Sequence, residues 1–148
     1  MKNSKNTLIY IIGIVFIIAI IFSIFNSQSD KVCFDGNCFE VELAITEEEQ
    51  YAGLGGRELL EENNGMLFVF EEEGYYPFWM KGMLFPLDII WINDEGVVVD
   101  IIKNAEPCGG PICFGIYPEA NASYVLELNA YTSNKIKLDV GDSVDITL

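Results

Sequence analysis

Between Gly65 and Ile92 the chain reads Gly-Met-Leu-Phe-Val-Phe-Glu-Glu-Glu-Gly-Tyr-Tyr-Pro-Phe-Trp-Met-Lys-Gly-Met-Leu-Phe-Pro-Leu-Asp-Ile-Ile-Trp-Ile, the densest apolar and aromatic stretch outside the N-terminus. Turn residues cut it into short runs. Met66 to Phe70, Pro77 to Met80 and Leu87 to Ile92 are expected to be buried strands, with Glu71-Glu-Glu-Gly74 as a turn and Lys81-Gly82 as a break. The rest of the fold has to be built around this stretch.

The flanking segments carry the same signature. Phe39, Val41, Leu43 and Ile45 alternate with Glu40 and Glu42, which predicts a strand with one buried face. Thr46-Glu-Glu-Glu49 is a capping-box pattern that opens a short helix through about Ala52, and Gly53, Gly55 and Gly56 stop it. Further strands are expected at Val97 to Ile102, which forms a hairpin with 87–92, at Tyr124 to Leu128, and at Val144, Ile146 and Leu148; Thr132 to Lys137 reads as a helical turn. About seven strands and short helices predict a mainly β (α+β) domain, a small, mostly antiparallel barrel-like sheet. Asn104 to Ala122, long and without regular signal, is a candidate binding rim.

That domain does not begin at Met1. Leu8 to Phe25 holds no charge, and its 18 residues lie at the lower edge of the roughly 17–25 needed to cross a bilayer as a helix. It is longer than a typical signal-peptide core and no small-x-small cleavage site follows it, so an uncleaved anchor is the expectation. Lys2 and Lys5 precede it, so the positive-inside rule puts Met1 in the cytoplasm and the domain outside. Residues 1–29 thus form a cytoplasmic stub, an anchor that partners the lipid bilayer through residues 8–25, and a short linker. Residues 30–148 form a single extracytoplasmic domain at the cell membrane.

Of the eight basic residues only six follow the apolar block, against 23 acids, so the outer part carries a net charge of −17. Nucleic acid is excluded as a partner, because a phosphate backbone is bound by basic surface that this domain lacks. The acidity reads as a solvated surface rather than a dedicated cation site.

Four cysteines stand in two pairs of identical spacing, Cys33/Cys38 and Cys108/Cys113. Outside the cell disulfides are favoured; four cysteines allow three connectivities, and the local one is attractive because Asp35-Gly36 is a preferred hairpin centre that sets Cys33 opposite Cys38. A four-cysteine metal centre is the rival, disfavoured by the spacing and by the absence of histidine, so neither metal nor cofactor is expected. Asn121-Ala-Ser123 matches the N-glycosylation tripeptide.

Two carboxylates are embedded in apolar strands, Asp88 and Glu127. A buried charge needs a partner, so Asp88 and Glu127 are expected to pair with Arg57 or Lys81, with Trp79 or Trp91 as an apolar wall. Such a cluster reads either as a structural network or as a ligand site. No histidine, Gly-x-Ser-x-Gly elbow, phosphate loop or dinucleotide fingerprint is present, so no catalytic set is assigned.

Gly53-Leu-Gly-Gly-Arg57, Gly65-Met-Leu-Phe-Val-Phe70, Phe78-Trp-Met-Lys81, Pro86-Leu-Asp-Ile-Ile-Trp-Ile92, Val125-Leu-Glu-Leu-Asn129 and Gly141-Asp142 resemble, in order and spacing, the family known as domain of unknown function 192. The resemblance runs from about Ile45 to Ile146. It implies a compact, mainly β, barrel-like fold with short helices, often secreted or membrane-anchored, and no established activity. The chain departs from the pattern at Ala130-Tyr131, where the family usually has glycine after Leu-Glu-Leu-Asn-Ala, and in its two cysteine pairs.

Three roles follow as expectations. The leading one is a membrane-anchored domain that binds a small molecule, a glycan or an envelope protein without catalysis. The second is a carbohydrate-active enzyme using Asp88 and Glu127, and the third a purely structural envelope component.

Overall fold

The computed structural model describes residue 10 and residues 12–18, 29–110 and 112–148. Of the expected anchor, residue 10 and residues 12–18 are helical and exposed. The remainder lies outside the described residues, among which no helix is long and apolar enough to cross a membrane.

The chain runs β1 (Lys31–Phe34), β2 (Asn37–Ala44), α1 (Glu47–Ala52), β3 (Asn64–Gly74), β4 (Leu87–Ile92), β5 (Val98–Ala105), β6 (Ala122–Asn129), α2 (Thr132–Ile136) and β7 (Asp145–Thr147). These seven strands form one sheet in the order β5-β4-β6-β3-β2-β1-β7. All neighbours are antiparallel except β2 and β3, which run parallel. A parallel pair needs a crossover rather than a tight turn, and α1 with the 53–63 loop supplies it.

The sheet curls into a half-barrel whose ends are tied together. Val98 N–H donates to Asp142 O at 2.9 Å, Gly141 N–H to Val98 O at 2.8 Å and Val144 N–H to Gly96 O at 2.8 Å, so the segment entering β7 at one edge meets the start of β5 at the other. Inside lie Val32, Phe39, Leu67, Ile90, Leu126 and Leu138. Outside lies a second apolar cluster with Phe68, Leu87, Ile89, Trp91 and Val125, covered by loops. β4 is buried at every position because both of its faces meet a core.

The β1–β2 hairpin turns as its sequence predicts. Asp35 and Gly36 both have positive φ (43° and 83°), the two-residue turn that matches strand twist, and Cys33 faces Cys38 with Cα atoms 4.1 Å apart in a disulfide. Cys108 and Cys113 form the second bridge, which sets aside the metal alternative. The capping box is present too: Thr46 Oγ1 accepts from Glu49 N–H and Glu49 Oε2 from Thr46 N–H.

Two expected elements differ. Pro77 to Met80 is not a strand; it makes one bridge, Phe78 with Ile116, because Pro77 and the Lys81-Gly82 turn leave no room for a ladder. Glu71 to Gly74 is not a free turn but the end of β3, carried past a register shift between Val69 and Gly74 in its pairing with β6.

Candidate functional site

Alternation along the strands separates the two buried carboxylates. Asp88 lies opposite Leu128 and alternates with Leu87 and Ile89, so it belongs to the inner face. Glu127 lies opposite Ile89 and Met66, on the outer face. The sheet stands between them.

Asp88, wholly buried, pairs with no cation among the described residues. Its carboxylate accepts backbone N–H groups from Asn104 at 2.9 Å, Tyr131 at 3.2 Å and Ser133 at 2.7 Å. Tyr131 caps α2 without using its own side chain, so a strand carboxylate supplies the cap instead. Asn104 and Tyr131 hold left-handed φ values of 57° and 69°, the geometry that points both N–H groups at Asp88.

The expected pairing with Arg57 or Lys81 is therefore corrected. Arg57 makes a two-pronged contact with Glu42, at 2.6 and 2.8 Å, which holds the Glu42 carboxyl below its ordinary range. Among the described residues neither Asp88, Glu127 nor Lys81 enters an ion pair.

Glu127 is 4% exposed, and its Oε2 has no hydrogen-bond partner among the described residues. Burial alone pushes its carboxyl up to about 8. It lines a cavity of about 230 Å³ together with Gln50 to Gly55, Phe68, Phe70, Tyr76 to Trp79, Lys81 and Met83. Gln50 seats α1 over this face by donating to Val69 O at 2.9 Å and to Ala44 O and Ile45 O at 3.3 Å.

The walls are interlocked rings. Phe68 and Phe78 meet edge to face with centroids 4.7 Å apart, Phe78 meets Trp91 at 5.8 Å, Phe70 stacks on Tyr76 at 3.6 Å, and Trp79 packs against Tyr51 at 5.8 Å. Trp91 stays behind the lining, its Nε1–H donating to Tyr76 O at 2.9 Å. The 112–117 segment is fastened to this wall by paired bonds between Phe78 and Ile116, but no described residue of the expected rim, 104–122, lines the cavity.

Of the residues expected at a site, Trp79, Lys81 and Glu127 meet at this cavity, while Arg57 and Asp88 do not line it. The residues missed, Tyr51, Phe68, Phe70, Tyr76, Phe78 and Met83, look like core in the sequence. Asn121 is exposed just before β6, while Ser123 is buried in it. A second cavity, about 500 Å³, lies by Asn37, Phe39, Asn63, Tyr131 and Lys135; neither buried carboxylate lines it.

The profile of the DUF192 family, described as Uncharacterized ACR, matches residues 30–146. The chain belongs to this family. Solved structures that share its fold include the following two. A Sinorhizobium meliloti 1021 protein described as a candidate transcription regulator is 31% identical, with a TM-score of 0.72 over 80% of this chain and 94% of that one. A Novosphingobium aromaticivorans DSM 12444 protein of unknown function is 30% identical, with a TM-score of 0.71 over 79% and 83%. No curated protein matches with significance. Four of the six DUF192-like motifs, those at Gly53, Gly65, Phe78 and Val125, contribute residues to the Glu127 cavity.

Proposed function

We propose that this DUF192 chain is a membrane-anchored, extracytoplasmic domain that binds a small ligand in the cavity over Glu127, without catalysis. One observation carries the ligand reading: a buried carboxyl with an unpartnered oxygen borders an aromatic-walled cavity. An unsatisfied buried group costs about 1–3 kcal/mol and is retained where something else satisfies it. The anchor and orientation rest on the uncharged block at 8–25 and on Lys2 and Lys5 before it. Transcription regulation is the description given to one structural relative, and if it required direct DNA binding the net charge of −17 would oppose it.

Carbohydrate-active catalysis by Asp88 and Glu127 is not favoured, because two carboxylates on opposite faces of a sheet cannot flank one glycosidic bond. A purely structural envelope role leaves the Glu127 cavity unexplained.

The test uses the full chain in dodecyl maltoside. A panel of small neutral, cationic and anionic aromatics is screened for changes in tryptophan fluorescence and melting midpoint. At least one compound is expected to bind the native chain and to lose its effect in Met83→Trp, which fills the cavity; equal responses in both chains would refute the reading. Protease added to intact spheroplasts is expected to digest residues 30–148, and protection there would reverse the topology.

A further inference from the structure

We infer that the cavity over Glu127 receives a small organic cation, its ammonium against the Glu127 carboxylate and its substituents against the aromatic walls. This rests on the cavity being a binding site and names the chemistry of its occupant.

Among the described residues no cation forms an ion pair with Glu127. Three cations are engaged elsewhere and do not line the cavity: Arg57 is held by Glu42, Lys135 by Glu62 at 2.6 Å, and Lys103 by Leu138 O at 3.2 Å. Lys81 lines the cavity but is exposed and in no ion pair among the described residues. The other titratable groups of the lining are the hydroxyls of Tyr51 and Tyr76, and that of Tyr76 donates to Glu72 O at 2.6 Å. The Glu127 carboxyl therefore borders the cavity without an ion-pair partner among the described residues.

The walls and the field select the same charge. Six aromatic residues, Tyr51, Phe68, Phe70, Tyr76, Phe78 and Trp79, line one small space, and aromatic faces attract ammonium groups, most strongly when desolvated. A net charge of −17 raises the local concentration of cations and repels anions. A neutral ligand would gain a hydrogen bond from the protonated acid, but it would draw nothing from the rings' electrostatics or from the surface field. At about 230 Å³ the space is smaller than the roughly 300–1,000 Å³ of drug-sized pockets, so the occupant is of fragment size.

Proton balance gives the inference its signature. Burial keeps most of Glu127 protonated at neutral pH, so an entering cation displaces that proton to solvent. Cation affinity should fall about tenfold per pH unit below 8 and level off above it.

Calorimetric titration of the full chain in dodecyl maltoside, at pH 6, 7 and 8.5, tests this with choline, benzyltrimethylammonium and 3,3-dimethylbutan-1-ol, the neutral isostere of choline. Choline is expected to bind at least tenfold more tightly than the alcohol at pH 8.5, and binding at pH 7 to release close to one proton, seen as heat that depends on the buffer. Glu127→Gln, which keeps the shape, should abolish both the preference and the proton release while its near-ultraviolet dichroism stays native. If the alcohol binds as well as choline, or if only neutral or anionic members of the panel bind, the cation assignment falls and the cavity reading stands. If no compound distinguishes the native chain from Met83→Trp, both fall.

Discussion

Glu127 makes stability depend on pH in a direction opposite to most carboxylates. Its folded value of about 8 lies above the ordinary 4.5, so between those limits the folded state binds a proton that the unfolded chain has lost. The stability it contributes is full below about 4.5 and disappears as pH climbs through 8. In urea unfolding at pH 5, 7 and 9, native stability relative to Glu127→Gln is expected to drop by a few kcal/mol across that range. A flat difference would show that the carboxyl is solvated. Tyr131 carries strain of another kind. It stands at the position where the family resemblance implies glycine, with φ 69° and the residue 62% exposed, so it bears a left-handed backbone with little burial in return. That geometry costs an L-residue about 1–2 kcal/mol, partly offset by glycine's greater freedom when unfolded. Tyr131→Gly is expected to raise stability by about 0.5–1 kcal/mol, read from the urea midpoint. A lower midpoint would mean that the ring contributes packing.

At the scale of elements, legibility followed the quality of the periodicity. The β1–β2 hairpin was readable because a two-residue turn with Asp-Gly fixes register locally, and the disulfide follows from register. β4 and β6 were readable as strands but not as to which way each residue points, because nearly every position is apolar and buried, so alternation carries no signal. That is why Asp88 and Glu127 were expected together, though the sheet divides them. Nor could the partners of Asp88 be read, being backbone N–H groups 16, 43 and 45 residues away. The parallel β2–β3 pair escaped a reading dominated by hairpins, and Gly65 shows how tightly it is built in. A Cβ there would lie 2.8 Å from Leu128 Cδ2 and 2.9 Å from Glu127 O, the second a backbone atom that cannot swing aside. Gly65→Ala is expected to cost about 1–3 kcal/mol and to displace β6 where it carries Glu127. An unchanged midpoint in guanidinium chloride would show that β3 and β6 separate freely.

For the whole molecule, charge sets the terms on which the half-barrel stays closed. Residues 30–148 compress a net charge of −17 into one sheet with two cores, and self-repulsion of that size opposes compaction. Among the described residues three surface ion pairs work the other way: Arg57 with Glu42, Lys135 with Glu62 and Lys103 with Asp139. Pairs so exposed contribute about 0.2–1 kcal/mol each, and salt weakens them. The repulsion is spread over many longer distances, where screening bites hardest: the Debye length falls from about 30 Å at 0.01 M to about 8 Å at 0.15 M. Repulsion therefore loses more than attraction when salt is added. Raising sodium chloride from 10 to 150 mM is expected to lift the melting midpoint of the full chain by about 3–8 °C, the equivalent of roughly 1–2 kcal/mol for a domain of this size. Potassium chloride should do the same, because screening depends on ionic strength rather than on fit. A midpoint that fell with salt would mean that the three pairs outweigh the field, and the surface potential invoked for drawing cations to Glu127 would be too weak for that purpose.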